Sequence, residues 1–242
     1  MENTKYNYLH FVRFHSMMNW SVSHLLGMDM GFTHKFPMVA IGSILERCKT
    51  PIDIEDSIQY KQITLKTNGG GAILRDVKLG KDIGTKKQYV VSAGQFIMSK
   101  IDARNGAFGI VSKDLNGAVV TGDFPVFDFD KGKLNPSYLQ LLSCTESIIR
   151  FAQSCSRGTT NRQRIDVKQF LNMQIPLPSL EEQNAIVAVY NESILLAEQY
   201  EQKAAKINNS IETYLLDELG LNTTQSTKEH VKAIISIYIL QI

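Results

Sequence analysis

Two short stretches of this chain collect the side chains that hydrogen-bond to phosphate oxygens and to base edges. The first, SRGTTNRQR from Ser156 to Arg164, holds three arginines, two threonines and one asparagine among nine residues and contains no acid. Thr159, Thr160 and Asn161 can donate to phosphate oxygens, while Arg157, Arg162 and Arg164 can supply charge or base contacts. The second, SKIDARNGAFG from Ser99 to Gly109, sets Lys100, Arg104 and Asn105 beside a turn flanked by Gly106 and Gly109. Arg and Asn are the residues that pair in forks with guanine and adenine edges, and glycine lets a backbone come close to a ligand. Residue types alone leave two readings open for each stretch: a face that meets a polyanion, or a polar hairpin in water.

Other motifs carry less. KTNGGG, from Lys66 to Gly71, lacks the Gly-x-x-x-x-Gly-Lys-Ser/Thr spacing of a phosphate-binding loop. It is expected to be a flexible loop presenting Lys66, Thr67 and Asn68. NPSY, from Asn135 to Tyr138, resembles in part the catalytic Asn/Asp-Pro-Pro-Tyr motif of amino-methyltransferases, but the second proline is missing. Asn135 as a helix cap and Pro136 as the first helical residue account for it better. Glu201-Gln202-Lys203 has a nuclease-like look, yet it falls on a long helical run where it is a surface pair. His10, His15, His24 and His34 show no metal-ligand spacing. Cys48, Cys144 and Cys155 form no Cys-x-x-Cys. The expectation is a protein with no catalytic residues, no metal and no cofactor.

Charge separates along the chain. The whole carries a formal net charge of +2. From Tyr60 to Lys113 there are ten basic residues, Lys86, Lys87 and those above among them, against three acids, a net of +7. From Glu181 to Glu218 two lysines face eight acids, a net of −6. A basic part joined to an acidic one suggests a polyanion at one end and a protein partner at the other. MENTKYNYLHF has no signal-peptide core, and the longest apolar run, AIISIYIL, is about half of what a membrane span needs. A reducing cytoplasm and no membrane are the expectation.

These side chains need elements to hold them. Residues 1–35 are an aromatic lead, with a short helix expected from Trp20 to Leu26. Residues 36–178 read as one α/β (mixed α+β) domain. FPMVAIGSILERC suggests a strand, a turn and a small helix. YKQITLKTNGGGAIL and KKQYVVSAGQFIMSKID alternate like strands, and Asn116-Gly117 marks a turn. Asn135-Pro136 opens one helix running through SYLQLLSCTESIIRFAQSC. Residues 179–220 read as a long coiled-coil helix, opened by a capping box of Ser179 and Glu182 and stopped by Gly220. Its seam is counted every four and three residues as Ile186, Tyr190, Ser193, Ala197, Tyr200, Ala204, Ile207, Ile211, Tyr214 and Glu218, eight of the ten apolar or aromatic. A rod of about 57 Å cannot cover such a stripe alone. Residues 221–242 are a polar linker and a hydrophobic end with no functional reading.

The ordered combination YKQITLKTNGGG…KKQYVVSAGQFIMSKIDARNGAFGIVSKDLNGAVVTGDFPVF…NPSYLQLL…SRGTTNRQRIDVKQFLNMQIPLPSLEEQNAIV resembles the target-recognition domain of type I restriction–modification specificity subunits, over residues 36 to 219. The resemblance implies a non-catalytic subunit that reads double-stranded DNA and delivers methyltransferase subunits and, in some systems, a restriction subunit. Full specificity subunits of this kind hold two such domains and two such helices, paired antiparallel. One domain and one helix here imply an antiparallel homodimer through Ile186, Tyr190, Ala197, Tyr200, Ala204, Ile207, Ile211 and Tyr214. The runner-up is an orphan or truncated recognition domain, kept as a recombination cassette or competing with a full-length subunit.

Overall fold

Residues 35–158 and 163–220, together with Phe32, are described by a computed structural model. The expected helix from Trp20 to Leu26 and the 221–242 tail lie outside the described residues. Two units are distinguished, Met1–Val187 and Ala188–Ile242, with the boundary falling inside the long helix.

The first unit is built on two antiparallel-rich sheets. Strands β2 (Glu46–Cys48), β10 (Val126–Asp128), β7 (Phe96–Met98) and β8 (Phe108–Ile110) make one, in that order. The other runs β3 (Pro51–Asp53), β6 (Lys87–Val90), β9 (Val119–Val120), β4 (Gln59–Lys66) and β5 (Gly71–Leu79). All pairings are antiparallel except β4 with β9. The alternating run around Ile63 forms the expected hairpin, β4 with β5, and Lys66 to Gly71 is its tip. Strand β7 reads as an unbroken apolar run because both of its faces are covered. Phe96 and Met98 belong to one core, and Ile97 to a second.

The larger core is centred on stacked aromatics. Phe108 lies between Phe96 and Phe170, with ring centroids 6.0 and 5.6 Å away, and all three are fully buried. Phe170 comes from α3 (Val167–Leu171), so that helix closes the core. Strand β1 (Met38–Ala40) then pairs with β13 (Gln174–Pro176), joining the two ends of this part of the chain.

Two local expectations change. The small helix within SILERC is strand β2, whose Val126 and Phe127 partners supply a sheet edge that its sequence could not announce. The single helix after Asn135 is two: α1 (Pro136–Ser143) and α2 (Glu146–Ser154). Thr145 breaks the run, because its hydroxyl accepts from Ile148 N–H and restarts the helix as an N-cap. Asn135 caps α1 as expected, its side chain accepting from Ser137 and Tyr138 N–H, with Pro136 next.

The long helix α4 spans Leu180–Glu218. Ser179 N–H and Oγ both donate to Glu182 Oε2, at 2.9 and 2.8 Å, and Glu182 N–H returns a bond to Ser179 Oγ. The backbone bond from Ser179, joined by its hydroxyl, holds the Glu182 carboxyl below its usual pKa. One turn on, Gln183 is fully buried. Its Nε2 donates to the Lys133 and Pro178 carbonyls and its Oε1 accepts from Asn135 N–H, so it sets the base of the helix against the start of α1. Gly220 at φ +62° ends the run. No described helix is long and apolar enough to cross a membrane.

Candidate nucleic-acid interface

The hairpin tip and the SKIDARNGAFG turn are zipped together by backbone. Asn68 N–H donates to the Asn105 carbonyl at 2.8 Å, and Gly69 N–H donates to the Gly106 carbonyl at 3.2 Å. The expected flexible loop is therefore a pinned one. Gly69, at φ +75°, has no room for a side chain, since a Cβ there would lie 2.5 Å from Cys144 Sγ. Lys66, Thr67, Asn68 and Asn105 are exposed on the outside of this junction. The close approach uses only main-chain groups, so these side chains stay available to a ligand.

The SRGTTNRQR stretch joins the same region. Its stem is the two-residue pair β11 (Ser156–Arg157) and β12 (Arg164–Ile165). Ile165 N–H donates to the Lys100 carbonyl at 2.8 Å, and Lys100 N–H to the Asp123 carbonyl at 2.8 Å. Arg104 reaches across with Nη1 donating to Gln163 Oε1 at 2.6 Å, and its carbonyl accepts from Gln153 Nε2 at 2.9 Å. Thr159, Thr160 and Arg162 lie outside the described residues.

The candidate cations are not equivalent. Arg164 makes a forked contact with Asp123, Nε to Oδ1 at 3.2 Å and Nη2 to Oδ2 at 3.1 Å, which raises its pKa further. Arg157 stands 4.0 Å from Asp166. Lys86 Nζ is 2.6 Å from Asp56 Oδ1 and 2.7 Å from the Gly80 carbonyl. Both partners lie at the open end of the β4–β5 hairpin, about 23 Å of strand from its tip. Lys86 and its exposed neighbour Lys87 are thus set apart, whereas Lys66, Lys100, Arg104, Asn105, Arg157 and Arg164 converge.

Arg104 is half-buried and its Nε is enclosed without a partner. Its guanidinium is committed to Gln163, the residue that leads into β12. That geometry makes Arg104 a positioning residue for the stem rather than a free reader of bases. Gln163, Gln153 and Asp123 were not among the sequence candidates. Their signal is spatial, because Gln163 lies 59 residues from Arg104 and Asp123 lies 41 from Arg164. Arg104→Ala and Gln163→Ala are expected to weaken DNA binding to similar extents, with a double variant no worse than either single one. Each should cost about 1 kcal/mol, roughly fivefold. Additive losses in the double variant, measured by anisotropy titration, would return Arg104 to direct DNA contact.

The seam residues of α4 are open to solvent in the single chain. Ile186, Tyr190, Tyr200, Ile207, Ile211 and Tyr214 are 38–64% exposed, and Ala197 and Ala204 are exposed as well. Val189, Ile194 and Leu196 are exposed too and widen the stripe beyond the positions counted in the sequence. Among the described residues no cluster of His, Cys, Asp or Glu could hold a metal ion. Cys155 is buried, and that burial pushes its thiol up to about 11.

Mixed sheets with converging basic loops, followed by one long helix, define a DNA-specificity domain, and the family model described as "Type I restriction modification DNA specificity domain" matches residues 35–212. The chain belongs to that family, which recognises DNA and is non-catalytic. Its fold is similar to that of the HsdS subunit from Thermoanaerobacter tengcongensis. The TM-score is 0.64 at 20% identity, over 75% of this chain and 48% of that one. A second similar structure comes from work on complex assembly and conformational transition of the type I R-M system. It gives a TM-score of 0.60 at 19% identity, over 77% of this chain and 50% of that one. The chain therefore spans about half the length of the solved chains it matches. Comparison with curated proteins gives no match.

Proposed function

We propose that this chain acts as a half-size specificity subunit of a type I restriction–modification system. It is organised as a recognition domain over residues 36–178 and a dimerisation helix over residues 179–220. Two copies pair antiparallel through the seam of α4. The two-fold axis then places two identical recognition domains on DNA, so the site read is an interrupted palindrome. Contact is made by the converging loops, with Lys66, Thr67, Asn68, Asn105, Arg157, Thr159, Thr160 and Arg162 supplying side chains to phosphates and bases. Methyltransferase subunits, and a restriction subunit where the system has one, bring the chemistry. The observation that carries this reading is the apolar stripe of α4, exposed along the helix in a chain holding one recognition domain.

Mapping methylated bases in cells with and without the gene tests it. The expected result is a bipartite, palindromic methylated motif that disappears with the gene. An asymmetric bipartite motif would remove the homodimer, and no gene-dependent methylation would favour the orphan recognition domain.

A further inference from the structure

A pocket of about 240 Å³ opens where the two sheets of the first unit meet. Cys48 of β2 pairs there with Val126, and Pro51 of β3 pairs with Tyr89. Arg47, Lys49, Thr50, Tyr89 and Lys100 line it, with Phe124 at its side, and no carboxylate is among the lining residues. Every polar side chain named is a donor of the kind that meets phosphate oxygens. Lys100 Nζ spends one donor on the Gly122 carbonyl at 2.7 Å and keeps two. The nearest acid by sequence, Asp123, is held in the Arg164 fork. The volume is below the roughly 300 Å³ at which pockets begin to take drug-sized ligands, so it suits one small group. Three cations around a concave site with no opposing charge concentrate a positive field there.

We propose that this pocket is a phosphate site that seats one backbone phosphate of the DNA strand and its flanking linkage, with Arg47 and Lys49 as principal contacts. The placement on DNA rests on the reading under Proposed function. The Lys100 and Asp123 main chains join the pocket to the β12 stem, so a strand lying on the converging loops continues into it. Arg47 and Lys49 precede the basic run from Tyr60 to Lys113, and charge counting along the sequence passed them by.

The test uses the full chain and a random-sequence duplex, because phosphate contact does not depend on the target. Wild type, Arg47→Ala/Lys49→Ala and the charge-matched Lys203→Ala/Lys206→Ala are titrated over a range of salt. Arg47 and Lys49 are exposed, and melting curves confirm that the variants fold. The slope of log K against log salt is expected to become shallower by about 1.8 in the pocket variant, two contacts at 0.9 each. It is expected to stay at the wild-type value in the helix variant. An unchanged slope in the pocket variant overturns the site while leaving DNA binding intact, and a wild-type slope near zero removes the DNA reading itself. Inorganic phosphate titrated into the DNA-free chain distinguishes the other source. A phosphate site lost in the pocket variant, alongside an unchanged DNA slope, would assign the pocket to a free anion and overturn its placement on the strand.

Discussion

Replacing both Ile207 and Ile211 by Asp is expected to turn the dimer into a monomer. Both side chains lie on the seam of α4 and are 58% and 50% exposed in the single chain. In an antiparallel pair each substitution occurs twice, so four carboxylates would lose water against apolar neighbours. Even a few kcal/mol per buried polar group without a partner raises the dissociation constant far more than 1,000-fold. Sedimentation velocity at micromolar protein should show a shift from two chains to one. Leu195→Asp is the control. Leu195 is 56% exposed but lies half a turn round the helix from Ile186, so its loss should leave the dimer in place. A double variant that stays dimeric would mean that another surface joins the copies.

DNA binding is expected to fall steeply with salt. Each phosphate neutralised releases condensed counterions, and about five contacts per chain give a slope of log K against log salt of −4 to −5. A fourfold rise in salt then weakens binding by about 250- to 1,000-fold. The tied cations limit the number of contacts, since the Asp123 fork and the Asp56 pair already satisfy Arg164 and Lys86. An affinity that barely moves from low to physiological salt would show that the converging loops do not meet phosphates.

The architecture was legible in the sequence wherever the signal is local. Ser179 and Glu182 announce the start of α4, Asn135-Pro136 announces α1, and alternation announces the β4–β5 hairpin. What the sequence concealed depends on partners far along the chain. Strand β2 needs β10 beside it. Thr145 looks like any residue of an apolar helical run until its hydroxyl takes the Ile148 N–H. The candidate interface shows the same division. Residue types correctly gathered Lys66, Lys100, Arg104 and Asn105, but they could not show that Arg104 is spent on Gln163, or that Lys86 is at the wrong end of a hairpin. Composition counts charges, whereas function depends on which charges are left unpaired.

The zipped junction between Asn68–Gly69 and Asn105–Gly106 has a consequence for how such a domain changes its target. The bonds that fix it run between main-chain atoms, so the outward side chains can be exchanged without dismantling their support. The exchange is unequal. Asn68 sits at φ +54°, where Asn, Asp and Gly are at home and β-branched or bulky residues are strained. Asn105 has no such restriction, and Thr67 has none either. Retargeting would therefore draw a wide vocabulary at positions 67 and 105 and a narrow one at 68. A library randomised at these three positions should keep folded members throughout the first two and lose them at the third.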